Sequence, residues 1–313
     1  MYSYDFSGHE FDRYRVRHLL GHGHASDIYL GEEIYQRQLV AIKMLPVRLS
    51  ASEKAQFRTH GASLTHLRHP HLVPVLDFGL HGDYPYLVMS YVPNGHLRQR
   101  HSRGTRVHLA TVLSYVHQIA QALDYLHQHN LVHRDVKPHN MLISTNNEIL
   151  LSDLGIAIIS PSLVPGSYDF EGTVPYAAPE QLMGQPRRAS DQYALAIAVY
   201  EWLCGSWPFA GTFDEIVDQH LNADPPPFHE RGADIAPEIE EVVFKALAKE
   251  PGERFESVGA FAATLMQVSL PDTSIHPSPQ PPPVQLKRQF MSPLPFKASE
   301  TSQDEISQIS ETH

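Results

Sequence analysis

Apolar residues in this chain change their spacing once, close to residue 93, and that change restricts the fold more than any single motif does. From Tyr14 to about Val92 they fall in short runs such as Val40-Ala41-Ile42 and Tyr86-Leu87-Val88-Met89, rich in β-branched and aromatic side chains, which is a strand signal. One helix interrupts them, expected from about Ser50 to Leu67, and Ser50 with Glu53 gives the capping-box spacing at its start. From His108 onward the spacing is helical: Leu113, Val116, Ile119, Leu123 and Leu126 recur at three- and four-residue steps. Asp191 to Leu203 is apolar nearly all round, so that helix belongs inside the larger half. Thr212 with Glu215 opens another helix, and further helices around Pro237–Lys249 and Ser257–Val268 complete the pattern. Strands segregated from helices make the expected class α+β.

At 313 residues the chain can bury a large core and suits one large domain or two lobes with flanking segments. After Leu270 the composition turns to Pro277-Ser278-Pro279-Gln280-Pro281-Pro282-Pro283 and a Ser/Glu/Gln-rich end, so residues 271–313 are expected to be a disordered tail. Ser278-Pro279 and Ser292-Pro293 would suit a docking segment or a phosphorylated linker, against the simpler reading of plain disorder. A formal charge of −11 argues against a general nucleic-acid binder, which needs a basic face, and leaves basic protein substrates open. The 21 histidines make that charge depend steeply on pH just below neutrality. Cys204 is the single cysteine, so no internal disulfide forms, which fits a reducing compartment. Residues 1–10 lack the basic and apolar regions of a signal peptide. The longest apolar stretch, Tyr193 to Cys204, carries Glu201 and falls short of the ~20 residues that a membrane span needs. The expected location is cytoplasmic, with no membrane segment in this chain, and the sequence sets no oligomeric state.

Gly21-His22-Gly23-His24-Ala25-Ser26 lies between two strand-like runs. Glycines there let backbone N–H groups approach phosphates, although a plain glycine hairpin would read the same. Lys43 closes the run Val40-Ala41-Ile42; it is either a charged strand end or, after a glycine loop, a group that bridges phosphates. His133-Arg134-Asp135-Val136-Lys137-Pro138-His139-Asn140 is more specific, since it packs acid, base and amide into a short loop after a helix. Such a concentration of charge needs partners. Asp153, in Ser152-Asp153-Leu154-Gly155, ends the next apolar run and offers an oxygen ligand of the kind Mg²⁺ accepts.

In this order the motifs resemble the eukaryotic-type (Hanks-type) serine/threonine protein kinase family, in a bacterial-like soluble form. Ala178-Pro179-Glu180 is similar to the family's A-P-E motif, and Glu250-Pro251-Gly252-Glu253-Arg254-Phe255 resembles bacterial members. The resemblance runs from about Tyr14 to Leu270 and implies a bilobal fold. Its small antiparallel β lobe (14–92) would carry one main helix, and its larger helical lobe would span 93–270. Residues 1–13 are set apart as an N-terminal extension.

The resemblance also implies roles. Asp135 would accept or orient the substrate hydroxyl proton, and Lys137 would steady the γ-phosphate. Asn140 and Asp153 would hold Mg²⁺, with Mn²⁺ as a substitute ion. Lys43 would hold the α- and β-phosphates of ATP beneath Leu20, Gly21, His22 and Gly23. The adenine would lie between Ile28, Ala41 and Leu142, with Met89 as gatekeeper and hinge bonds at Ser90 and Val92. Thr173 would position the substrate, and Lys137 and Thr173 together favour serine or threonine as acceptor. Asp191 would anchor the catalytic loop, while Glu180 and Arg254 would form a buried brace. Arg134 would pair with an activation loop autophosphorylated at Ser160, Ser162 or Ser167.

Departures from the family pattern set the alternatives. The helix glutamate expected to pair with Lys43 falls at His60, and an imidazole cannot supply a carboxylate's negative charge. Glu53 lies about 10 Å along the helix and already has the cap to serve. Either Lys43 leans on Asp153 and ATP in an active enzyme, or the chain is a nucleotide-binding pseudokinase that signals by shape. A small-molecule phosphotransferase is disfavoured, because Ala178-Pro179-Glu180, Asp191 and Arg254 belong to a peptide-binding lobe. Ser26 replaces a loop glycine, and His96 stands where an acid often meets the ribose. His66, His69 and His71 are close in sequence but have no companion cysteines for zinc, so His69 is expected to cap the helix end.

Overall fold

The first strands carry β-branched and aromatic residues on alternate positions, and they pair into one twisted sheet. In the computed structural model, which describes residues 5–23, 26–45, 48–154 and 173–270, this sheet has six strands. They are β1 (Glu10–Phe11), β2 (Tyr14–Gly23), β3 (Ser26–Glu33), β4 (Leu39–Met44), β5 (Val75–His81) and β6 (Tyr84–Ser90). The order is β1-β2-β3-β4-β6-β5, with every neighbour antiparallel. Tyr14, Val16, Tyr29, Val40, Ile42, Met44, Tyr86 and Val88 make a buried cluster of their own on this sheet. Phe6 and Phe11 belong to the same cluster, and Phe6 meets Tyr29 and Tyr84 edge-on at 6.1 and 6.0 Å. Two residues of the stretch set apart above as an extension, Phe6 and Phe11, are therefore part of the small-lobe core.

The interrupting helix, α1 (Ala51–Leu64), starts as its sequence dictates. Ser50 accepts from the Glu53 N–H while Glu53 accepts from the Ser50 N–H, the reciprocal bonds of a capping box. It stops short of Leu67, because the N–H groups of Thr65, His66 and Leu67 turn back to Gly61, Ser63 and Leu64 carbonyls. Phe57 packs edge-on against Phe78 of β5 at 5.8 Å. Gly61 faces the same ring so closely that a Cβ there would lie 2.5 Å from Phe78. Helix and sheet thus meet at a distance only glycine permits.

The larger lobe is helical. It comprises α2 (Leu97–Arg100), α3 (Leu109–Gln128), a 3₁₀ turn at Pro138–Asn140, the hairpin β7 (Met141–Ile143) and β8 (Ile149–Leu151), and a second 3₁₀ turn at Val174–Tyr176. Then come α4 (Pro179–Leu182), α5 (Arg188–Cys204), α6 (Phe213–Asn222), α7 (Pro237–Ala246) and α8 (Val258–Val268). Every residue of α5 from Ser190 to Cys204 is buried, as the unbroken apolar run predicts. The helix ends at Gly205, whose φ of 78° is the left-handed cap that glycine adopts without strain. Helix α3 packs against both α5 and α8 and buries Val116, Ile119, Leu123 and Leu126.

Main-chain bonds stitch the two lobes together. Leu151 donates to the His71 carbonyl, and Val73 donates to the Leu151 carbonyl, each at 2.9 Å. His69 does not cap α1 as expected. Its Nδ1 accepts the His71 N–H and its ring stacks on Tyr125 at 5.1 Å, because the helix has already ended. His71 Nδ1 lies 3.0 Å from the Ile149 carbonyl, so two of the three histidines serve the lobe junction. Among the described residues no cluster of three or more His, Cys, Asp or Glu could hold a metal, and no helix is long and apolar enough to cross a membrane.

Candidate active site

The loop after α3 is held from beneath by one carboxylate. Asp191, in the first turn of α5, is 1% exposed and accepts the N–H groups of His133 and Arg134 at 2.9 and 2.8 Å. His127, in the last turn of α3, reaches the same carboxylate at 2.8 Å. Arg134 has a φ of 67°, a left-handed backbone that disfavours a side chain by about 1–2 kcal/mol. The bonds to Asp191 and a bond from Gln181 Nε2 to the Arg134 carbonyl (2.8 Å) hold that turn in place. His133 is fully buried, and its ring spans to the Ser152 carbonyl at 2.9 Å, tying the loop to the residue before Asp153.

Above this foundation four side chains converge. Asp135 Oδ1 lies 2.9 Å from Lys137 Nζ and accepts the Thr173 hydroxyl at 3.2 Å, while Lys137 donates to Thr173 Oγ1 at 2.9 Å. Asn140 Nδ2 donates to Asp135 Oδ2 and to the Asp135 carbonyl, both at 2.8 Å. Burial pushes the Asp135 carboxyl up, but the charge and hydrogen bond of Lys137, joined by Asn140, outweigh it and hold the group below the usual carboxylate range. A carboxylate so stabilised is a weak base and a good orienting acceptor.

Across the cleft, Lys43 Nζ pairs with Asp153 Oδ1 at 2.9 Å, with their side chains 7% and 19% exposed. Asp153 too has a left-handed φ, 64°. His60 stands on α1 with its Nδ1 buried and without a hydrogen-bond partner. Glu53 remains committed to the cap. The position facing Lys43 in the family pattern thus carries no carboxylate, and the lysine's ion-pair partner comes from the larger lobe.

The remaining expected residues lie on the paired strands that carry Lys43 and in the segments packed beside them. Gly21 pairs with Ile28 and Ile28 with Lys43 across β2, β3 and β4, while Ala41 pairs with Met89 and Val40 with Ser90 across β4 and β6. Gly23 ends β2, and His22 Nδ1 lies 2.8 Å from Asp27 across the hairpin. Leu20 is 43% exposed. Ala41, Val92 and Leu142 are partly buried against the cluster that includes Met89, whereas the Ser90 N–H is already spent on the Pro74 carbonyl. His96 caps α2 through the Gln99 N–H and bridges to Leu142. Ser160, Ser162 and Ser167 lie outside the described residues.

A metal would find oxygen here. Asn140 spends its amide nitrogen on Asp135, which leaves its Oδ1 for a ligand, and Asp153 spends one oxygen on Lys43. Two protein oxygens, with no larger ligand cluster among the described residues, suit Mg²⁺, which keeps phosphates and waters in its shell.

Further from the loop, Arg254 meets Glu180 in a two-pronged pair at 2.8 and 2.9 Å, and Ser190 adds a hydroxyl at 2.7 Å. Burial raises the Glu180 carboxyl, but Arg254 more than reverses this and holds it low. Sequence reasoning missed His127, Gln181 and the cluster in which Arg98 and the Tyr176 hydroxyl both bond Glu201 at 2.7 and 2.6 Å. The signal for His127 was available: it stands four residues after Leu123 on the buried face of α3.

Residues 14–267 match the protein kinase domain family. The chain is 35% identical over 271 residues to serine/threonine-protein kinase PknB of Mycolicibacterium smegmatis, which covers 83% of this chain and 43% of that protein. It is 34% identical over 250 residues to serine/threonine-protein kinase PrkC of Bacillus subtilis, covering 78% and 39%. Serine/threonine-protein kinase PknF of Mycobacterium tuberculosis is 36% identical over 272 residues, covering 82% and 56%. The chain therefore spans roughly two fifths to just over half of the length of these relatives.

Proposed function

The chain belongs to the protein kinase domain family, and from that premise we propose that it transfers the γ-phosphate of ATP to serine and threonine hydroxyls of proteins. The observation that carries this reading is the convergence of Lys137, Asn140 and Thr173 on the Asp135 carboxylate. Asp135 accepts or orients the proton of the incoming hydroxyl, and Thr173 fixes where that hydroxyl sits. Lys137 neutralises charge between the acid and the transferred phosphoryl group. Lys43 holds the α- and β-phosphates under the β2–β3 hairpin, and Ile28, Ala41, Met89, Val92 and Leu142 enclose the base. Asn140 and Asp153 would hold Mg²⁺, which would supply positive charge against the negative charge that develops on the phosphates. The nucleotide and ion are ATP and Mg²⁺, and the partners are protein substrates. Autophosphorylation within residues 155–172 belongs to the same reading, with Arg134 as the receiving cation.

A second reading has an observation of its own. Lys43 is paired with Asp153 and His60 offers no carboxylate, so the chain could bind nucleotide without transferring it. One comparison separates the two. Unaltered protein and Asp135→Asn are incubated with labelled ATP, Mg²⁺ and myelin basic protein. Transfer by the first and a fall of about 10²–10⁴-fold in the second, with ATP-induced thermal stabilisation kept by both, supports the kinase. Stabilisation without transfer in the unaltered protein establishes the pseudokinase.

A further inference from the structure

Helix α6 buries only two side chains, Ile216 and His220, one turn apart. Ile216 needs no explanation, but a fully buried imidazole must find partners for two ring nitrogens. The Tyr193 hydroxyl of α5 lies 2.8 Å from His220 Nδ1, and Phe209 closes edge-on over the ring at 4.9 Å. Lys249 donates to the His220 and Gln219 carbonyls at 2.9 and 3.1 Å, so a positive charge sits beside the ring. Burial and that charge press the His220 pKa down to about 3, so at neutral pH one ring nitrogen carries a proton and the other does not.

The second nitrogen, Nε2, is buried without a close hydrogen bond, and α6 packs against the turn whose Pro175 carbonyl acts on the ring alongside Tyr193 and Lys249. Pro175 is the middle residue of the 3₁₀ turn Val174–Tyr176. Its carbonyl receives neither of the turn's own bonds, which run from Tyr176 to Thr173 and from Ala177 to Val174. A buried ring nitrogen without a close hydrogen bond and a carbonyl that its own turn leaves unused therefore lie on the two sides of the joint where α6 packs on this turn. Satisfying both is the cheapest way to bury them. The turn begins at Thr173, whose hydroxyl touches Asp135 and Lys137.

We propose that His220 is a positioning residue for the protein substrate: Nε2–H donates to the Pro175 carbonyl and so fixes the turn that sets Thr173 against Asp135. Nδ1 then accepts from the Tyr193 hydroxyl, and α6 is coupled to the acceptor site through one ring. The role in substrate binding rests on the kinase reading above; the contact itself does not.

The test pairs His220→Leu, which removes the donor, with His220→Gln, whose amide nitrogen restores one near the Nε2 position. With myelin basic protein as acceptor, His220→Leu is expected to raise the protein KM about tenfold, with kcat within about threefold and the ATP KM within about twofold. His220→Gln is expected to recover most of the loss. Equal losses in the two variants, an unchanged protein KM, or a loss confined to ATP binding would overturn the proposal. Nitrogen-labelled histidine in the unaltered protein gives an arm independent of turnover: a ring proton on Nε2 protected from solvent exchange, close to Pro175, is expected. A proton found on Nδ1 instead overturns the contact even if His220→Leu fails to fold. Absence of phosphate transfer by the unaltered protein would remove the kinase reading and leave that ring proton to decide the contact.

Discussion

The two walls of the cleft are built to different standards. In the larger lobe the loop carrying Asp135 hangs from Asp191 by two main-chain bonds, with His127, His133 and Gln181 closing the surrounding gaps. In the small lobe Lys43 has no acid on its own side among the described residues, and the histidine that replaces one keeps a buried nitrogen without a partner. The contrast shows where preorganisation resides. The Asp135 side is held by buried hydrogen bonds within its own lobe, whereas Lys43 takes its ion-pair partner from across the cleft.

Four substitutions break or sharpen that contrast. The largest effect is expected for Arg254→Leu, which strands Glu180 in the larger lobe and should lower unfolding free energy by about 3–5 kcal/mol in chemical denaturation. The loss should depend on pH. A carboxyl held low contributes stability above its unfolded pKa of about 4.3 and loses it as pH falls through the folded value, so the gap between variant and parent should narrow on acidification. Next comes Asp191→Ala. It releases the loop without touching substrate, so turnover should fall about a hundredfold while ATP-induced thermal stabilisation persists. Loss of ATP binding instead would mean that the two walls are not independent.

The small-lobe changes are expected to be milder. Gly61→Ala forces a methyl into the Phe78 ring and should destabilise by about 1–3 kcal/mol, read as a lower denaturation midpoint. His60→Glu is the smallest and the only gain. It supplies the absent carboxylate and should raise turnover about tenfold, the equivalent of ~1.4 kcal/mol in the barrier. An active protein that gains nothing from it would show that Lys43 needs no second acid.

Local signals in the sequence carry much of this architecture. Capping residues place the starts of α1 and α6, and the unbroken apolar run from Tyr193 to Cys204 announces a buried α5. The glycine hairpin, Lys43, the His133–Asn140 loop and Asp153 can each be picked out by residue type and spacing, and they lie around one cleft. Contacts between residues far apart in the chain leave no such mark. Phe6 and Phe11 fall in a segment too short to show a period, so nothing local reveals that they complete the small-lobe cluster. The position of His69 suggests the end of a helix, but its ring partner is Tyr125 of another helix. Arg98 and Glu201 are each ordinary in sequence, and only the fold brings them to the same tyrosine.

The Lys43–Asp153 pair has a consequence for the order of binding. Its side chains are largely shielded, so added salt screens the attraction only weakly. A dication that reached Asp153 alone would leave an ammonium uncompensated, and a polyphosphate that reached Lys43 alone would do the same to a carboxylate. Arriving together, they exchange one internal pair for two external ones. If Asp153 takes the dication and Lys43 the polyphosphate, this pair would act as a coincidence detector, favouring the two ions together over either one alone.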